Sequence, residues 1–156
     1  MRKGALATSL AKSSFGADLA RFARKSEATV DETFRSIYIE LFTSVISDTP
    51  VDQGRARGSW QITIGEPAIG QSRHLDKTGP VGSPSAKNSG AAVAAVLNTQ
   101  AELGDVVWLT SNLPYIEPLE YGHSQRQAPK GMVRKNMARI QQIVKESATK
   151  AKGKVK

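Results

Sequence analysis

Residues 41–64 read LFTSVISDTPVDQGRARGSWQITI, and within them the spacing of apolar side chains changes from that of a helix to that of a strand. Leu41 and Val45 close a series begun by Leu19, Phe22, Val30, Phe34 and Ile37, in which a member recurs every three or four residues once Ser26 fills one step. That period lays one stripe along one side of a helix, so the spacing predicts an amphipathic helix over residues 15–47. Asp48-Thr49-Pro50 ends it, because proline carries no N–H to continue the ladder. Val51-Asp52-Gln53-Gly54 is turn chemistry, and beyond it Trp60, Ile62 and Ile64 alternate with polar residues, as on a strand with one buried face. Thirty or so residues at about 1.5 Å each make the helix near 46 Å long, more than the core of one domain can cover. Part of it is expected to pack on something else.

Working outward, Val93, Val96, Leu97 and Ala101 fall at helical spacing over residues 89–103, with Gly104 placed to stop the helix. Asp105-Val106-Val107-Trp108-Leu109-Thr110 is too continuously apolar to have a wet face and predicts a central strand anchored by Trp108. Pro114 opens a short helix through Leu119 that Gly122 closes. Over residues 130–149 a terminal helix is expected, with Val133, Met137, Ile140 and Val144 as its apolar stripe and Arg134, Lys135, Arg139 and Lys145 on its other faces. Between the first strand and the second long helix, residues 65–88 hold four glycines, three prolines and no periodic pattern. Such a long connection points to function or disorder. The fold class is therefore α+β: a small, mostly antiparallel sheet packed with a long N-terminal helix and a C-terminal helix, plus a long extended loop. Residues 1–14 read as an extended arm, 15–149 as a single domain, and 150–156 as a basic tail.

Composition narrows the function. The chain carries a formal net charge of +8 and no cysteine, so disulfides, thiolate metal sites and cysteine nucleophiles are out. From Lys130 to Lys156 there are nine basic residues against the single acid Glu146, whereas the preceding residues carry thirteen of each sign. A charge concentrated at one end suits an acidic partner, either a protein surface or nucleic acid. No apolar run approaches the roughly 20 residues of a membrane span, so no membrane is expected among the partners. Glu120 and His123 spell half of a di-iron motif without its second half. Residues 79–87 resemble a phosphate loop, but Ala86 stands where glycine is needed before Lys87. No serine sits in a nucleophile elbow. No catalytic residue, metal, cofactor or small-molecule substrate is therefore expected, and the chain is read as a non-enzyme.

Three segments taken in order carry a resemblance. They are Thr49-Pro50-Val51-Asp52-Gln53-Gly54-Arg55-Ala56-Arg57-Gly58-Ser59-Trp60, then Asn112-Leu113-Pro114-Tyr115-Ile116-Glu117-Pro118-Leu119-Glu120-Tyr121-Gly122-His123-Ser124, then Gln127-Ala128-Pro129-Lys130-Gly131-Met132-Val133-Arg134. Together they resemble the tail-completion and head-tail joining (neck) protein family of long-tailed bacteriophages, similar to the minor tail protein Z group of lambda-like phages. Gln53 departs from the threonine frequent at that turn. The resemblance covers roughly residues 15–148 and implies a structural virion protein, made in the bacterial host cytoplasm and assembled at the neck. It further implies a homo-oligomeric ring, a hexamer, that touches other neck or tail proteins such as the tail terminator or head connector.

Residue by residue, Asp52 can accept backbone hydrogen bonds in its own turn, Gly54 and Gly58 permit tight geometry, and Trp60 is a large buried anchor. These orient Arg55 and Arg57. Tyr115, Leu119 and Tyr121 can pack the short helix, with Gly122 and Pro129 as further anchors, while Glu117 and Glu120 stay available for basic partners. Arg55, Arg57, Glu117, Glu120, Arg134, Lys135 and Arg139 are thus the expected partner-contacting residues. The alternative reading is a basic protein that binds DNA without reading sequence, through Arg134, Lys135, Arg139 and the final lysines.

Overall fold

The computed structural model describes residues 14–83 and 90–154. The expected N-terminal arm lies outside these residues except for Ser14, as do residues 84–88 of the long loop and the last two residues of the tail. The described elements are α1 (Ser14–Ser47), α2 (Arg55–Gly58), β1 (Gln61–Ile64), α3 (Gly90–Gln100), β2 (Val107–Thr110), α4 (Ile116–Glu120), α5 (Val133–Met137) and α6 (Ile140–Lys154). Ser14 therefore belongs to α1, and helix extends through residues 150–154, where a tail was expected. None of the described helices is long and apolar enough to cross a membrane.

β1 and β2 pair antiparallel, with Ile62 opposite Leu109 and Ile64 opposite Val107. These four side chains and Trp60 pack on the buried cluster of Phe42, Ile46, Val93, Leu97 and Ala101, supplied by α1, α3 and the residue after α3. Phe34, Tyr38 and Phe42 form an edge-to-face ladder down α1, with ring centroids 4.7 and 5.5 Å apart, a geometry that aromatic quadrupoles favour. A second cluster, Val45, Ala128 and Met132, is backed by Trp60, Leu109, Ile116 and Leu119. Trp60 and Leu109 belong to both margins and join the two halves of the core. The Trp60 indole donates to Thr49 Oγ1 at 2.8 Å, and that hydroxyl donates to the Val45 carbonyl at the end of α1. Arg35 ties α1 to the end of α3, donating to the Ala101 carbonyl at 3.0 and 3.2 Å while pairing with Asp31.

Two expectations are corrected. β2 is not a central strand: among the described residues the sheet has two strands, and helices cover only one of its faces. Trp108 is consequently 40% exposed on the other face, where its indole donates to the Gly65 carbonyl. The terminal helix is also not one rod. It breaks between Met137 and Ile140, and its buried side chains are Met132, Asn136, Ile143 and Ser147, whereas Val133, Met137 and Val144 are exposed. Of the expected stripe only Ile140 is half-buried. Asn136, a polar residue, occupies the inward position because its amide donates to Asp48 Oδ2 and to the Met132 carbonyl, each at 2.8 Å. A polar group can be buried there because it is satisfied.

Candidate interaction surface

The first of the three segments holds the long loop. Gly54 has φ +78°, and a side chain there would collide with the backbone of Asp76. That close approach lets Asp76 N donate to the Gly54 carbonyl at 2.9 Å. Arg57 then reaches inward: it is fully buried, donating from Nη1 to the Thr78 carbonyl at 2.6 Å and from Nη2 to the Pro80 carbonyl at 3.0 Å. Burial pushes the Arg57 guanidinium below its ordinary pKa, and the nearby Asp76 carboxylate offsets this only in part. Asp76, itself buried, also accepts from Thr78 N. Arg57 is thus not available to a partner; it clamps residues 76–80. The side chain of Asp52, expected to cap its own turn, makes no hydrogen bond among the described residues. Ser59 does local work instead, its hydroxyl bonded to the Ala56 carbonyl and to Ser111 Oγ.

The second and third segments meet at Glu120. One carboxylate oxygen accepts from Met132 N at 2.7 Å and Val133 N at 2.8 Å, and the other from Arg134 N at 2.7 Å. These are N–H groups at the start of α5 that have no partner within the helix. Arg134 adds its Nε to the carboxylate at 3.3 Å and its Nη2 to the Glu120 carbonyl at 2.6 Å. Burial raises the Glu120 pKa, but the hydrogen bonds from the Arg134, Val133 and Met132 amides and the Arg134 side chain outweigh it, and the net value lies below the ordinary one. Gly131, at φ +75°, presses so closely on Glu120 that a side chain would strike its carbonyl and carboxylate. Glu120, expected to be free for basic partners, is therefore engaged within the chain. No neighbouring residue signals this, since the partners lie twelve to fourteen residues further on.

The expected basic face is likewise matched by acids of the same chain. Lys135 pairs with Asp48 at 3.0 Å, and Arg139 lies 3.6 Å from Glu40 and donates to Ser44 Oγ at 2.9 Å. Arg134 stacks over the Tyr121 ring at 4.8 Å. Tyr121 is 65% exposed, so it covers a cation and does not pack the short helix as expected. Gly122 ends α4 with φ +88° against the Pro129 carbonyl. His123 Nδ1 contacts the Pro118 carbonyl at 3.0 Å. Among the described residues no group of three or more histidines and carboxylates gathers as a metal site.

Part of what remains outward-facing from the segments borders a cleft of about 320 Å³, lined by Pro50, Asp52, Gln53, Arg55, Ala56, Tyr115, Leu119, Ser124 and Gln127. Val51 N donates to Gln127 Oε1 at 2.7 Å across its margin, joining the first segment to the third. Arg55 is exposed, with only a long 3.4 Å contact to Gln71, and Tyr115 is 41% exposed. Glu117 is exposed on the neighbouring α4. The cleft thus offers both charges, a phenol and two amides, a set suited to recognition by hydrogen bonding. No known protein family, curated protein or solved structure matches this chain.

Proposed function

We propose that this protein is a structural part of a tailed phage, a tail-completion or head-tail joining protein that works at the neck by ring assembly and protein contacts. The observation that supports this reading most is how the three segments of the resemblance use their residues. Although far apart in the chain, they form one hydrogen-bonded framework, through Val51 with Gln127 and Glu120 with residues 132–134. Their buried members hold turns and helix starts, and exposed members of all three, Arg55, Tyr115 and Gln127 among them, line a cleft. Segments built this way serve a fixed shape and a recognition surface, which assembly requires, and provide no nucleophile paired with a base. In this reading Asp52, Arg55, Tyr115 and Glu117 meet the neighbouring neck protein.

The DNA-binding alternative draws less support, because Arg134, Lys135 and Arg139 are already matched by Glu120, Asp48 and Glu40. Deleting the gene from a phage that encodes it tests the proposal: heads and tails should accumulate unjoined and be rescued by the supplied protein. Normal titre with joined tails would overturn it. A salt series with duplex DNA separates the alternative, since phosphate binding by several cations weakens steeply as salt rises.

A further inference from the structure

Ile69 is 97% exposed, the most exposed of the large apolar side chains described, yet the loop carrying it is not slack. Thr63 Oγ1 donates to the Glu66 carbonyl at 2.6 Å and Trp108 Nε1 to the Gly65 carbonyl at 2.9 Å. Gln61 Nε2 donates to the Gly70 carbonyl at 2.6 Å, and Asn112 Nδ2 to the carbonyls of Ala68 and Gly70 at 2.7 and 3.0 Å. By strand alternation Gln61, Thr63 and Trp108 lie on the sheet face turned away from α1 and α3. Residues 65–70 are thus strapped across that face with an isoleucine held out from it. A contact fixed before binding loses little conformational freedom on binding.

The chain also carries a matching recess. α1 and α6 form an open, almost wholly apolar groove of about 400 Å³, lined chiefly by Val30, Phe34, Ile37, Leu103, Ala148 and Ala151. Val30 and Leu103 are each more than half exposed. This groove belongs to the helical layer and the Ile69 loop to the outer sheet face, so the body of the molecule separates them. The charges beside the two features are complementary: Glu66, exposed three residues before Ile69, and Lys152, on the groove rim, have opposite signs and no ion pair among the described residues.

We infer that Ile69 of one copy seats in the α1–α6 groove of the next copy, with Glu66 meeting Lys152, so that the chain assembles head to tail. Different patches on the two sides make a heterologous contact, which closes into a ring when the rotation allows. The inference rests on the ring reading proposed above and names the contact that would build the ring. It also gives the exposed apolar side chains in the middle of α1 a surface to serve.

Because the chain lacks cysteine, introduced thiols can report the contact without background. Full-length Ile69→Cys mixed with full-length Val30→Cys should, on mild oxidation, give a disulfide-linked dimer containing one of each, well above what either variant gives alone. In sedimentation velocity, Glu66→Lys should weaken self-association about tenfold, and adding Lys152→Glu should restore it. Both sites are exposed, and unchanged thermal unfolding would confirm that folding is intact. If the native chain self-associates but Ile69→Asp and Glu66→Lys associate equally well and no mixed disulfide forms, this contact is wrong while the ring reading stands. If the native chain stays monomeric and no mixed disulfide forms, both fall.

Discussion

The surroundings of Arg57 and Glu120 and the middle of α1 are made of opposite materials. In the former a buried cation holds two carbonyls, a carboxylate holds three amides, and a buried asparagine bridges α5 to the end of α1. Along residues 29–37 of α1 the surface is an open apolar groove with Val30 half in solvent. The first region is closed on itself: apart from the buried Arg57 Nε, its polar groups find partners within the chain, and removing one leaves the others stranded in low dielectric. The second loses little when altered in the free protein, because water already reaches it. The contrast teaches that the residues most conspicuous in the sequence here maintain shape, while the surface left open for another molecule is inconspicuous.

The largest expected effect would come from breaking the closed region at Arg57. Arg57→Met should destabilise the fold by about 3–5 kcal/mol, since Asp76 would remain buried without its cation and the Thr78 and Pro80 carbonyls without donors; urea unfolding reads it. A loss under about 1 kcal/mol would mean that the clamp adds little.

Next comes the helical phase of the terminal segment. Ile143→Ala should cost about 2–4 kcal/mol as a core truncation, while Val144→Ala, one position along and exposed, should stay within about 0.5 kcal/mol. Equal effects would show that the buried face is misassigned.

Glu120→Gln should cost about 2 kcal/mol at neutral pH, because charge-assisted hydrogen bonds to the start of α5 become neutral ones. The native pKa of Glu120 lies below its ordinary value. Its stabilisation is therefore complete above the ordinary carboxylate range and is lost as the pH falls through that range and past the lowered native value. The gap in stability between wild type and variant should shrink on acidification. A gap independent of pH would remove the charge from the explanation.

The smallest effect is expected where ion pairs face water. Lys135→Glu and Arg139→Glu should each change stability by about 1 kcal/mol or less, as exposed pairs do. If the two variants fold normally yet fail to restore titre to a phage lacking the gene, that face has a partner beyond its own chain. Full restoration would confine its role to Asp48 and Glu40.

The sequence by itself determined the elements whose cause is local. The helix over residues 15–47, its stop at Asp48-Thr49-Pro50, the alternation of Trp60, Ile62 and Ile64, and the buried set Val93, Leu97 and Ala101 all follow from period and breakers, and with them the α+β class. Tertiary structure decided the rest, because burial of a given face depends on what lies across from it. A continuous apolar run could not say that helices would cover only one side of β2 and leave the other to a loop. A helical stripe could not reveal that Asn136 would turn inward, because its partner Asp48 lies 88 residues away. The charged residues were the least legible. Nothing around Arg57 or Glu120 marks it as inward-facing, and each is held by atoms that only the folded chain brings within reach.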